Sequence, residues 1–122
     1  MSIHALVVDT RERVILVGTC VGNDKRRTIP AWANLQTNFL EGLKGAGYPP
    51  ERIDIVLCTH LHVDHVGWNT MLVDGKWVPT FPNARYSIGR EEREHWEKNE
   101  DGSVLADSVK PIFEEDLVDL VE

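Results

Sequence analysis

The residues with the densest potential for chemistry are His60, His62, Asp64 and His65. They lie in the stretch Cys58-Thr59-His60-Leu61-His62-Val63-Asp64-His65-Val66-Gly67-Trp68-Asn69. Neutral imidazole and carboxylate are ligands for Zn²⁺ and other first-row divalent ions. The four donors follow Ile53-Asp54-Ile55-Val56-Leu57-Cys58, an apolar run that reads as a buried strand. On extended backbone, residues two apart point to the same side, so His60 and His62 can converge on one ion. Asp64 and His65, a step further on, can turn toward a second. Gly67 removes a side chain where the backbone must turn away closely. Two divalent ions about 3.5–4 Å apart can share a hydroxide and clamp an acyl-transfer or in-line displacement. Zinc also lowers the pKa of its bound water toward about 7, which supplies a nucleophile at neutral pH.

This segment resembles the H-x-H-x-D-H signature of the metallo-β-lactamase-fold hydrolases. Val21-Gly22-Asn23-Asp24-Lys25, Thr59 through Asn69, and Ala84 through Trp96 are similar to the lactonase-like and organophosphate-hydrolase-like branch of that family. The resemblance runs over nearly the whole chain and matches the first half of a family domain. It implies an α/β fold, a mixed β-sheet with flanking helices that forms the N-terminal half of an αββα sandwich. Residues 1–122 would be a single truncated domain of this kind. The implied activity is metal-dependent hydrolysis of an ester, lactone or related bond by a metal-bound hydroxide. By the same resemblance His60 and His62 would hold a first ion, and Asp64 and His65 a second. Asp64 would orient the attacking hydroxide or protonate the leaving group. Zinc is the default metal, and iron, manganese and cobalt accept the same ligands.

The sequence departs from the family pattern in two ways. Where the family carries Asp-Thr-Gly, with the Asp supporting the metal site, this chain has Gly18-Thr19-Cys20. Loss of such a supporting group can cost 10–100-fold in metal affinity. The family's later ligands, a His after a glycine-rich turn, a bridging Asp and a last His, have no counterpart either. The only histidine after His65 is His95, in the helical pattern Arg90 to Trp96, and it reads as solvent-facing; His4 reads as an edge or core residue of the first strand. A catalytic zinc uses three protein ligands plus water. One copy of this chain offers the first ion two. Three readings follow: a fragment of a longer hydrolase, a half-domain that dimerises, or a remnant that folds without catalysing. The alternative function is therefore a non-catalytic module that binds metal weakly or self-associates. The expected partners are a small-molecule substrate and either a second copy or the missing second half.

The remaining sequence must build a scaffold for these residues. A length of 122 residues and 42% hydrophobic content suit one domain with a real core. The net charge of −7 argues against nucleic acid or anionic membrane as a partner. Two cysteines are too few for a disulfide framework, and Cys58 reads as a small buried hydrophobe. No basic-then-apolar leader and no apolar run of about 20 residues is present, so a soluble cytoplasmic protein is expected.

Ala5 to Asp9 and Arg13 to Gly18 read as a hairpin buried on both faces, and Gly18 to Asp24 as a turn-rich loop. Lys25-Arg26-Arg27 reads as a solvated basic cluster. Trp32, Leu35, Phe39, Leu40 and Leu43 fall at helical spacing, stopped by Gly45 and Gly47. Trp68 to Met71 predicts a short turn or helix, with Trp68 more a packing residue than a pocket wall. Asp74-Gly75 predicts a second hairpin, carrying Trp77. Ala84 to Ile88 predicts a strand, Arg90 to Lys98 a helix anchored by Trp96, and Val109 to Val121 an amphipathic helix. The ligand loop then lies at the carboxyl end of a strand, where α/β proteins place ligands. Half a sandwich leaves one sheet face bare, which predicts self-association.

Overall fold

The computed structural model describes residues 5–25, 31, 35–58, 63–99 and 105–121, the side chains of 63, 64, 95–99 and 105 excepted. Strands β1 (Leu6–Asp9) and β2 (Val14–Val17) form the expected antiparallel hairpin. Arg11 closes its turn at φ 75°, with its N–H donating to Asp9 Oδ1 at 2.8 Å. Helix α1 (Phe39–Gly45) follows, then β3 (Ile55–Cys58), which pairs in parallel with β2. Helix α2 (Val63–Val66) and a 3-10 turn over Gly67–Asn69 lead into β4 (Thr70–Val73) and β5 (Lys76–Pro79). These two strands make a separate two-stranded sheet around Asp74-Gly75, both at positive φ, as the sequence predicts. Strand β6 (Arg85–Gly89) pairs in parallel with β3 and runs into helix α3 (Arg90–Asn99).

The C-terminal stretch differs from the long helix expected for it. A π-helical segment (Leu105–Val109) and the short α4 (Lys110–Glu114) give way to strand β7 (Val118–Val121), parallel to β6. Asp116 at φ 56° ends the helix. Val118, Asp119, Leu120 and Val121 then alternate half-buried and exposed, the period of a strand rather than a helix. Helix α1 is also shorter than expected, because Leu35 precedes it in irregular backbone and Trp32 lies outside the described residues.

The main sheet has the order β1-β2-β3-β6-β7. Its register puts Val14, Leu16, Val56, Cys58, Tyr86 and Ile88 on one face, all buried, with Leu43 and Ile112 from the helices over them. Tyr86 is the largest of the fully buried side chains. Its hydroxyl accepts from the Phe81 N–H at 3.1 Å and donates to the Asn69 carbonyl at 3.2 Å. Burial pushes the pKa of this phenol upward, so it stays protonated and keeps donating.

The opposite face carries Leu6, Val8, Ile15, Val17, Ile55 and Leu57 in register. Leu6 is 60% exposed and Val8 39%. The first hairpin is therefore not buried on both faces, because β1 is an edge strand and no second layer covers it among the described residues. The Tyr86 contacts generate a first prediction. Tyr86→Phe leaves a buried N–H and weakens a buried carbonyl, so it should cost about 1–3 kcal/mol of unfolding free energy. Urea denaturation with an unchanged midpoint would show these hydrogen bonds to be idle.

Candidate functional site

Of the four expected metal ligands, His60 and His62 lie outside the described residues. Asp64 is on α2, but its side chain is outside them too. His65, in the last turn of α2, is described and is half-buried. Of the other histidines, His4 is outside the described residues, and His95 is on α3 with its side chain outside them. Among the described residues, no group of three or more His, Cys, Asp or Glu side chains is placed to hold a metal.

The backing of His65 is well defined. Its carbonyl accepts from the Thr19 backbone N–H at 2.8 Å and lies 3.3 Å from Thr19 Oγ1. The Trp68 N–H donates back to the Thr19 carbonyl at 2.8 Å, and the Gly67 N–H to the Cys20 carbonyl at 2.7 Å. Loop residues 18–22 and motif residues 65–68 thus satisfy each other's backbone, as buried irregular segments must. The approach is close enough to forbid side chains. A Cβ on Gly67 would stand 1.8 Å from the carbonyl carbon and oxygen of Val21. One on Gly22, at φ +87°, would stand 2.7 Å from the Gly67 oxygen. Gly18, the position at which the resemblance leads one to expect Asp, points its missing side chain at His65: an ideal Cβ there lies 3.9 Å from Nδ1.

Below this junction lies a buried polar column. Asn69 is fully buried, and its Oδ1 accepts from Thr19 Oγ1 at 3.0 Å. Its Nδ2 lies 3.6 Å from Cys58 Sγ, and its carbonyl accepts from the Thr80 N–H at 3.0 Å. Burial pushes the Cys58 thiol up to about 11, against the smaller opposing effect of its hydrogen bond with Asn69. Cys58 is buried within the core of the sheet and packs as a small hydrophobe, as expected. The donor types in the motif are imidazole and carboxylate. That donor set fits a borderline divalent ion.

Lys25 corrects an expectation. It is fully buried rather than solvated. Its Nζ donates to the Thr70 carbonyl at 3.2 Å and to Thr70 Oγ1 at 2.5 Å, and stands 4.2 Å from the Trp77 ring centroid. Arg26 and Arg27 lie outside the described residues. Reading by charge class missed Lys25, and nothing in the spacing singled out Asn69. Trp68 is 5% exposed and stacks on Phe39 with centroids 5.6 Å apart. It also borders an apolar pocket of about 310 Å³, lined with it by Cys20, Val21, Leu35 and Phe39. It therefore serves as both packing and pocket wall.

The model of the metallo-beta-lactamase superfamily matches residues 1–122. The chain belongs to that superfamily. Among solved structures, the hydrolase AbOPH of the beta lactamase superfamily is 26% identical with a TM-score of 0.73, over 98% of this chain and 43% of its own. A probable metal-dependent hydrolase from Staphylococcus aureus is 17% identical with a TM-score of 0.77, over 98% and 44%. AidC, a dizinc quorum-quenching lactonase solved with the product N-hexanoyl-L-homoserine, is 22% identical with a TM-score of 0.68, over 100% and 44%. No match was found among curated proteins. The chain spans less than half the length of these solved structures and matches the N-terminal half of their fold. No described helix is long and apolar enough to cross a membrane.

The superfamily motif rests on its glycines in a way that can be measured. Gly67→Ala forces backbone atoms of two segments apart and should cost more than about 4 kcal/mol or abolish folding. Gly42→Ala is the control. Gly42 lies in α1 with nothing within 4 Å of an added Cβ. That substitution should stabilise by about 0.5–1 kcal/mol. Similar denaturation midpoints for the two variants would refute the close-approach account.

Proposed function

We propose that this chain supplies the N-terminal half of a metal-dependent hydrolase site that cleaves an ester, lactone or related bond. The observation that carries the proposal is the motif segment itself. It leaves the carboxyl end of a parallel strand, and Thr19, Cys20 and the side-chain-free contact at Gly67 anchor it. His60 and His62 would hold one ion, and Asp64 and His65 a second. Zinc held by these residues would supply a nucleophile near neutral pH, by lowering the pKa of water, and Lewis acidity at the bond to be cleaved. Asp64 would orient that nucleophile or return a proton to the leaving group. The pocket beside Trp68 and Phe39 offers room for an apolar part of a small-molecule substrate. Elemental analysis of the purified chain tests the reading, with a His60→Ala/His62→Ala control. One or more equivalents of zinc or a similar metal, lost in the control, is expected. A folded, metal-free chain that takes up none on addition would refute it.

A second reading is favoured by the bare sheet face. Leu6, Val8, Ile15, Val17, Ile55 and Leu57 form a contiguous apolar surface of the kind that marks a protein interface. The partner would be a second β-layer, from another copy or from a complementary second half, and the module's role would then be association. Sedimentation equilibrium at high micromolar concentration should show reversible self-association. Leu6→Lys/Val8→Lys should abolish it, whereas a clean wild-type monomer would refute a homotypic partner.

A further inference from the structure

We infer that Thr19 and Asn69 form a buried hydroxyl–carboxamide clamp that positions His65. This rests on the metal-site reading above. Helix α2 has four residues, far too few to hold its own conformation. Its end is instead fixed from outside. Thr19 takes the His65 carbonyl with its N–H at 2.8 Å, and accepts the Trp68 N–H at 2.8 Å with its own carbonyl. The Thr19 hydroxyl has one proton to give. Asn69 Oδ1 at 3.0 Å and the His65 carbonyl at 3.3 Å both stand within reach of it.

Asn69 is held in turn from three other elements. Cys58 of β3 meets its side-chain amide, while Thr80, just after β5, and Tyr86 of β6 meet its carbonyl. A fully buried carboxamide costs free energy unless each polar atom finds a partner, and an apolar residue would fill the same volume without that demand. What the polar pair adds is direction. It ties the loop after β2 to the turn after α2 at a fixed height, and His65 is the residue whose carbonyl sits between them. Binding constellations tolerate displacements of only about 0.5 Å. Thr19 and Asn69 are thus positioning residues that act through the His65 backbone.

The test is cobalt(II) binding to the full chain, read by visible absorption and titration, beside thermal unfolding of the metal-free protein. Thr19→Val keeps the volume and removes the hydroxyl. It should weaken cobalt affinity about tenfold, in the range seen when groups supporting metal ligands are lost, and alter the absorption bands. Thr19→Ser, which keeps the hydroxyl, should restore both. Should Thr19→Val fail to fold, Thr19→Ala takes its place. A folded variant without the hydroxyl that keeps the wild-type affinity and spectrum would overturn the clamp. A wild-type chain that binds no cobalt sinks the metal-site reading, and amide exchange on metal-free protein then decides the clamp. Selective loss of protection at Gly67 and Trp68 in Thr19→Val, with β3 unchanged, upholds it. Exchange that is unchanged, or accelerated uniformly, overturns it.

Discussion

The contact between the Gly67 backbone and the Val21-Gly22 backbone is the constraint on which the rest of this structure depends. Neither segment is a strand or a long helix, yet both are buried. Each must therefore find hydrogen-bond partners without the regular ladder that sheets and helices supply. They find them in each other, through Thr19, Cys20, His65, Gly67 and Trp68. This works only because the approach has no side chain in it. The consequence reaches past local packing. The height of α2 above the sheet, the direction of Trp68 into its stack with Phe39, and the pocket beside them all follow from where these two backbones meet.

A second set of buried polar groups extends the junction toward the hairpin. Lys25 is a cation with no exposed surface, which is unfavourable unless it is surrounded by acceptors. Thr70 provides two, and the face of Trp77 adds a cation–π contact. Thr70 Oγ1 in turn donates to the carbonyl of Asp107, so the π-helical segment joins the same network. The β4–β5 hairpin forms no ladder with the main sheet. Polar contacts through Asn69, Thr70 and Thr80, rather than strand pairing, hold it against the site. Such directional bonds fix one arrangement where apolar packing alone would accept several.

The sequence was legible where a single physical rule decides the outcome. Asp74-Gly75 supplies two residues that accept positive φ, so the second hairpin was readable. The strand before the motif was readable from its apolar run, and Gly67 from the need for close approach. Legibility failed where tertiary context overrides a local pattern. The apolar spacing of Ile112, Phe113, Leu117 and Leu120 satisfies a helix on paper. The chain instead breaks at Asp116 and gives its last four apolar-alternating residues to a parallel edge strand, a pairing between distant segments that local periodicity cannot reveal. Lys25 was misread for a related reason. Its charge is typical of a solvated loop, and only the Thr70 and Trp77 cage, more than forty residues away, makes burial tolerable. Hydrophobic content in β1 likewise could not say whether anything lies over it.

The bare face and the motif are linked through the sheet. Strands β2, β3, β6 and β7 are parallel, so their carboxyl ends share one edge. The loop after β2 and the motif after β3 both leave from that edge. This face is apolar on β1, β2 and β3, exposed on β1 and half-buried on β2 and β3, and apart from Val121 it turns polar at Arg85, Ser87 and Asp119, where Arg85 and Asp119 pair with each other. A covering layer would therefore seat over β1 to β3, the part of the sheet from which the motif springs.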